Sequence, residues 1–370
     1  MPAEELFRRV ADDGPGPWWL GALRGLARGA SWLYGLGVGA RNAAYDLGLA
    51  RVERLPLPVV GVGGLSVGGS GKTPVVAALA RACLRLGLPV AVVSRGYGGR
   101  GGGGVRWVSR GGELLSGPAE AGDEPVLLAR RLPGVPVAVG ADRTAVGRAV
   151  WAACGPRVLV GDDLFQHRRL HRELDLLCLD AARPLGNGFL LPRGELREPA
   201  GSLRRAQAVV LTRAEDRECV ERARRWLRSA WGPGPVLVSR HRIAGLEDAA
   251  GHLLPEQSWR GRRVLAFCGL ARPEGFFRAL EGLGLSLVGR EGFGDHHRFT
   301  PGELAELWRE AGRLGAAALV TSEKDAVRLP AALPEGPPLW VTRLELEFEG
   351  GSEVLARLLL WGLRAWSGGS

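Results

Sequence analysis

Of the 49 lysines and arginines in this 370-residue chain only two are lysines, Lys72 and Lys324. Where arginine carries nearly all the positive charge, a surviving lysine marks a place for a compact, mobile point charge that a planar guanidinium does not replace. Cysteine is scarce as well. The five, at positions 83, 154, 178, 219 and 268, lie far apart and form no C-x-x-C pair. That argues against a zinc site or a disulfide framework and fits a reducing compartment. No run of apolar residues is long enough for a spanning helix. No basic segment leads into an apolar one near the start, so no secretory signal is expected. The net charge of +10 favours an anionic partner: nucleic acid, an acidic membrane surface or a phosphorylated substrate.

Lys72 stands in Gly68-Gly69-Ser70-Gly71-Lys72-Thr73, between the apolar run Leu57 to Val62 and a helical pattern from Pro74 to Arg81. The order strand, glycine loop, Lys-Thr, helix predicts a phosphate-binding loop. Its backbone N–H groups and the helix N-terminus face a polyphosphate, Lys72 reaches the outer phosphates, and the Thr73 hydroxyl is placed for Mg²⁺. Ser66 occupies the position of the first glycine of the strict motif.

A second apolar run, Val158 to Val160, ends in Gly161-Asp162-Asp163. An apolar strand with carboxylates at its C-terminal end, beside a phosphate loop, suits Mg²⁺ binding. Together with Lys72 and Thr73, Asp162 and Asp163 make phosphoryl transfer or hydrolysis the leading chemistry. His167 follows in the same segment and reads more readily as a structural hydrogen bonder than as a catalyst.

The rest of the chain alternates strand-like and helix-like segments. This predicts an α/β fold with a P-loop NTPase-like, doubly wound, mostly parallel sheet, a second and smaller α/β domain, and an N-terminal amphipathic helix. The expected division is 1–48, 49–235 and 236–370. A strand is expected near 262–267 and another near 316–321, with a loop over 245–261. In the first part, Trp18, Trp19, Leu20, Leu23, Leu26, Trp32 and Leu33 recur at helical spacing among Arg24, Arg28 and Arg41. The pattern suits either a helix lying in a membrane interface or one packed on its own domain.

The segments GVGGLSVGGSGKTP, SRGYGG, GDEP, DDLFQHRRLHRELDLLCLD, GNGFLLPRGELREP, AFCGLARPEGFF, GFGDHHRFT and TSEKDAVRL, in that order, resemble those of the tetraacyldisaccharide 4'-kinases. The resemblance spans about residues 15 to 330. It implies an ATP- and Mg²⁺-dependent enzyme that phosphorylates the 4'-hydroxyl of the lipid A disaccharide precursor at the cytoplasmic face of the bacterial inner membrane. A membrane surface is then a partner, and neither nucleic acid nor an obligate protein partner is expected. By resemblance Asp123 and His296 form a catalytic dyad, with His297 the neighbouring alternative. Gly68, Gly69, Ser70, Gly71, Lys72 and Thr73 bind the nucleotide, and Thr73, Asp162 and Asp163 bind the metal. Arg95, Tyr97, Asn187, Arg197 and Glu198 match segments near the lipid headgroup or nucleotide. A P-loop GTPase or ATPase acting as a switch or metallochaperone is the alternative, since it needs neither His296 nor a lipid.

Two positions depart from that family pattern: Gly64 where Asn is usual, and Leu164 where Gly is usual after the acidic pair. If the usual glycine serves a positive φ, Leu164 is expected to strain the turn. Lys324 and Asp325 in TSEKD are adjacent, which does not suit guanine recognition; an ion pair is the simpler role.

Overall fold

The computed structural model describes residues 3–96, 99, 104–295, 297–330, 332–364 and 366. Two helices come first, α1 (Ala3–Ala11) and α2 (Trp18–Asp46). A first α/β part then runs β1 (Val59–Gly63), α3 (Lys72–Arg85), β2 (Val90–Ser94), β3 (Arg106–Arg110), α4 (Pro118–Ala121), α5 (Asp123–Arg131), β4 (Pro136–Val139), α6 (Arg143–Cys154), β5 (Val158–Gly161), β6 (Leu174–Asp180), β7 (Ala208–Thr212) and α7 (Arg217–Ala230). The C-terminal part runs β8 (Val236–Asp248), α8 (Glu256–Trp259), β9 (Arg263–Cys268), α9 (Pro273–Gly282), β10 (Ser286–Gly292), α10 (Pro301–Arg313), β11 (Ala318–Ser322), α11 (Glu323–Ala326), β12 (Leu339–Phe348) and α12 (Glu353–Leu363).

The described strands form one sheet in the order β10-β9-β11-β12-β8-β7-β6-β1-β5-β2-β4-β3. All neighbours are parallel except β12 with β8 and β3 with β4. Strands β1, β2, β4, β5 and β7 are buried at every position. Helices cover both faces, which is why these strands read as continuous Val and Leu runs with no alternation.

β8 departs from the sequence expectation. The stretch from 245 was expected as loop, but β8 continues to Asp248. Its first residues pair with β7, at Val209 opposite Val236, and Ser239 to Asp248 pair with β12. Polar residues and Gly245 disguised a strand whose second half has its partner about a hundred residues later. The chain then returns: Leu355, Leu358 and Leu359 of α12 share a core with Val75, Val76 and Leu79 of α3. Each such side chain contributes about 1.5–3 kcal/mol on burial, so α12 is bound firmly to the helix that follows the phosphate loop.

α2 packs on the domain along one side and leaves an apolar side exposed. Leu20, Ala27, Ser31 and Val38 are buried, while Trp18, Leu26, Trp32, Leu33 and Leu36 are 87, 74, 75, 72 and 64% exposed. At about 100° per residue the two sets lie on opposite sides of the helix. The inner side is fixed by polar contacts. Ser31 Oγ donates to Leu190 O at 2.7 Å, Tyr34 Oη donates to Arg197 O at 3.0 Å, and Arg41 pairs with Glu198 at 3.2 Å. Among the described residues no helix is long and apolar enough to cross a membrane.

Candidate active site

The phosphate loop lies between β1 and α3, at the C-terminal edge of the sheet. Gly68 has φ 101° and Gly71, the N-cap of α3, has φ 71°, so both use the left-handed region that glycine enters at no steric cost. α3 begins at Lys72, two residues before Pro74, so Lys72 and Thr73 form its first turn. Ser66 needs no glycine in its place, because it pairs with Leu196 in extended conformation while Val67 N donates to Glu195 O at 2.7 Å. Gly64 leaves room beside the loop: a Cβ there would come 2.8 Å from Ser70 Oγ and 3.7 Å from Lys72 Nζ.

Asp162 and Asp163 follow β5, the immediate neighbour of β1. Lys72 Nζ lies 3.4 Å from Asp163 Oδ1, and Arg197 Nη1 donates to Asp163 Oδ2 at 2.7 Å. Burial pushes the Asp163 carboxyl up, but Lys72 and Arg197 outweigh it and hold it below its ordinary value. Asp162 is the converse. Burial, then the field of Glu124 in the first turn of α5, raise it to about 8 against the pull of Lys72. Its Oδ1 is buried with no hydrogen-bond partner among the described residues, as is Ser70 Oγ. A buried, unsatisfied carboxylate oxygen beside a phosphate loop fits a hard cation, and Mg²⁺ commonly takes only one or two protein carboxylates besides phosphate and water.

The expected strain at Leu164 does not arise. The positive φ in this turn belongs to Asp163, at 54°, and Leu164 is fully buried in the core beneath β5. Aspartate tolerates the left-handed region better than most residues. Leu164 fills the space over Gly161, whose missing side chain makes room for it.

Asp123 and Glu124 open α5, which is capped by the backbone of Gly122 and by no side chain. Arg328 Nε donates to Asp123 Oδ2 at 2.6 Å and Arg328 Nη1 to Asp325 Oδ1 at 3.3 Å. Asp325 Oδ2 in turn accepts from Ser322 Oγ at 2.5 Å and Gly269 N at 3.1 Å. The TSEKDAVRL segment thus reaches Asp123 from the C-terminal part, and Arg328 is a site residue that sequence reasoning missed. The Asp-x-x-Arg spacing inside the motif was its only signal. Lys324 lies 3.7 Å from Asp295, which also faces Arg8 of α1 at 3.6 Å. His296 and Tyr97 lie outside the described residues. The alternative, His297, has Nε2 at 3.1 Å from Glu303 and its ring stacked on Phe293.

The remaining expected contacts separate. Arg95 is exposed at the C-terminal end of β2, and Arg197 stands over Asp163. Asn187 sits in a turn, its Nδ2 donating to Ala11 O and Arg193 O at 2.8 and 3.2 Å and its Oδ1 accepting from Phe189 N. Glu198 is fully buried between Arg205, Arg41 and Asn42. His167 has a buried Nε2 without a hydrogen-bond partner among the described residues and Asp142 at 3.8 Å. The five cysteines are free thiols.

A glycine loop opening α3, a lysine paired to a strand-end carboxylate and a second, unsatisfied carboxylate beside it define a P-loop nucleotide-binding enzyme of the phosphoryl-transfer kind. The family model for tetraacyldisaccharide-1-P 4'-kinase matches residues 23–361. Tetraacyldisaccharide 4'-kinases of two Anaeromyxobacter strains are similar. That of strain Fw109-5 is 46% identical over 333 residues, with 89% of each chain covered; that of strain K is 47% identical over 357 residues, covering 93% of this chain and 92% of the relative. The crystal structure of LpxK from Aquifex aeolicus in complex with ATP superposes with a TM-score of 0.72 at 32% identity, covering 90% of this chain and 96% of that one. The chain belongs to the tetraacyldisaccharide-1-P 4'-kinase family, and the switch or metallochaperone alternative is not favoured.

Proposed function

We propose that this chain transfers the γ-phosphoryl group of ATP to the 4'-hydroxyl of the tetraacyldisaccharide 1-phosphate precursor of lipid A. The observation that carries the reading is the convergence of Lys72, Asp162 and Asp163 at the sheet edge, in a chain of this family. Residues 68–73 cradle the phosphates, and Lys72 exchanges Asp163 for the outer phosphates. Thr73, Asp162 and Asp163 hold Mg²⁺, which when bound supplies charge that stabilises the transferring phosphoryl group. Asp123 and His296 act as the dyad that takes the sugar hydroxyl's proton, a service worth about 10²–10⁴-fold. Arg95, Tyr97 and Arg197 present positive charge and an aromatic ring to the lipid headgroup. Asn187 and Glu198 support the loop that carries Arg197.

The same reading puts the outer face of α2 against the cytoplasmic leaflet of the inner membrane. Its exposed tryptophans and leucines supply apolar area, and the chain's positive charge adds attraction for anionic headgroups. We read residues 1–48, 49–235 and 236–370 as the membrane-facing, kinase and C-terminal parts, with β8 joining the strands of the last two into one sheet.

The test is transfer of labelled phosphate from ATP to purified tetraacyldisaccharide 1-phosphate in detergent micelles, with Asp123→Ala beside the wild type. A 4'-phosphorylated lipid from the wild type, reduced about 10²–10⁴-fold in the variant, supports the proposal. Phosphate release without a lipid product would return the chain to the NTPase alternative.

A further inference from the structure

The family model begins at residue 23, so α1 and the turn after it lie outside the match and the family reading gives them no role. α1 is nine residues long, too short to be stable as a helix on its own. Its apolar side, Leu6 and Val10, packs against Leu20, Leu23 and Ala27 of α2. Its C-terminal end is held by more than packing. The last carbonyls of a helix have no partner within it. Here Arg9 O accepts from Arg24 Nη2 at 3.1 Å, Val10 O from Arg193 Nη1 at 2.7 Å and Ala11 O from Asn187 Nδ2 at 2.8 Å. Arg24 also reaches Asp12 O, and Arg193 pairs with Asp13. Two guanidinium groups at a helix C-terminus also complement its dipole.

Two of these anchors come from far along the chain. Asn187 and Arg193 belong to the 187–198 segment that also carries Arg197. Arg193 is buried; its backbone N–H donates to Ser31 Oγ of α2 at 3.0 Å, and its guanidinium lies 4.8 Å from the centre of the Phe189 ring. Burying a guanidinium is costly unless it is well partnered, and a helix that merely covered α2 would not call for one. About one turn before the anchored end, Arg8 faces the other half of the molecule. Its Nη2 lies 3.6 Å from Asp295 Oδ2, while Lys324 Nζ lies 3.7 Å from Asp295 Oδ1. Asp295 therefore stands between a cation of α1 and a cation of α11, each on its own oxygen. It directly precedes His296 in the sequence.

We propose that α1 is a strap that ties the 187–198 segment to the segment carrying His296, and that Arg8 is a positioning residue for that histidine, acting through Asp295. The inference rests on the proposed function, in which His296 belongs to the dyad. α1 is anchored on the kinase part by Arg24, Asn187 and Arg193 and reaches the C-terminal part through Arg8. Because it rides on α2, it also references the His296 segment to the helix that faces the lipid surface. The Arg8–Asp295 pair is 54 and 18% exposed and adds little to the stability of the whole fold. Its effect is local. A bias of that size toward the docked position of one catalytic segment changes turnover, because a misplacement of about 1 Å is enough to slow a reaction that depends on orientation.

The test is steady-state transfer to purified tetraacyldisaccharide 1-phosphate in micelles of neutral detergent, measured on the full chain for the wild type, Arg8→Ala, Arg8→Glu, Arg8→Lys and Arg9→Glu. Arg9 adjoins Arg8 but pairs with Glu5 inside α1 at 3.1 Å, so Arg9→Glu makes the same change of charge away from Asp295. Arg8→Ala is expected to lower kcat about fivefold, the size of one exposed ion pair. Arg8→Glu, which sets like charges together, should lower it about tenfold or more. Arg8→Lys should keep most of the rate, since one contact at 3.6 Å does not need the fork of a guanidinium. KM for ATP and the melting temperatures should hold at wild-type values, as should every parameter of Arg9→Glu. The deficit of Arg8→Ala should shrink as salt is raised, because salt screens an exposed pair. Wild-type kcat in Arg8→Ala and Arg8→Glu, an equal loss in Arg9→Glu, or a loss that follows melting temperature overturns the strap and leaves the proposed function standing. A wild type that transfers no phosphate to the lipid overturns the proposed function and the strap with it.

Discussion

Arg328 joins Asp123 to Asp325: one buried guanidinium, 3% exposed, donates to carboxylates that lie 202 residues apart in sequence but meet across the junction of the kinase and C-terminal parts. A carboxylate that receives a charge-assisted hydrogen bond from one side is fixed in rotamer and presents its other face in a defined direction. Arg328 is therefore a positioning residue for the proposed dyad. Replacing it by Ala leaves two carboxylates without this partner, and kcat for lipid phosphorylation is expected to fall by about 10²-fold. KM for ATP should change little. Arg328→Lys should recover only part of the rate, because an ammonium does not span both carboxylates as the fork does. Steady-state kinetics with both substrates, beside melting temperatures, checks this; equal loss in all parameters that follows stability alone would make Arg328 merely structural.

That link also marks what sequence alone could supply. The phosphate loop was legible because its parts are contiguous: Gly68 to Thr73 carry their chemistry in six adjacent residues, and the flanking β1 and α3 are set by local pattern. Buried strands such as β5 and β11 were legible because burial on both faces leaves an unbroken apolar run. Arg328 was not, because its meaning lies in a partner far along the chain and arginine is too common here to stand out. The second half of β8 was hidden because polar residues alternate along it and its pairing partner, β12, comes much later. Leu164 was misjudged because the glycine usual at that position suggested a positive φ that in fact falls one residue earlier.

The Leu164 correction is testable. If Leu164 fills a void over Gly161, restoring the family's glycine removes packing and relieves nothing. Leu164→Gly is expected to destabilise the fold by about 3–5 kcal/mol, from lost burial plus the entropy of glycine. Denaturant unfolding measures it, and turnover per folded molecule should not rise.

The outer face of α2 predicts a phenotype of another kind. Trp32, Leu33 and Leu36 contribute nothing to the core, so replacing all three by Ala should leave the melting temperature unchanged. Binding to vesicles of anionic lipid should weaken at least about tenfold, since each large side chain is worth on the order of 1.5–3 kcal/mol when fully buried. Sedimentation with vesicles reads this out, and kcat in detergent micelles serves as the control. Unchanged vesicle binding would remove α2 as the membrane contact.

His167 sets an acid limb on stability. Burial, then Arg143, push its pKa down from the ordinary 6.5 to about 4. The unfolded chain therefore binds a proton that the native protein refuses over the intervening range. The sign follows: this contribution to stability is complete above about pH 6.5 and declines as pH falls toward about 4. His171 and His241 are lowered by burial too and act in the same direction, whereas Asp175 and Asp325, raised by burial, act oppositely. A single substitution isolates the one group. His167→Gln keeps a polar side chain of similar reach and cannot take up a proton. Its melting temperature should fall less than that of the wild type between pH 6.5 and pH 4, and the two curves should run parallel above that window. Curves parallel throughout would mean that His167 titrates normally in the folded chain, and that its buried Nε2 finds a partner in solution.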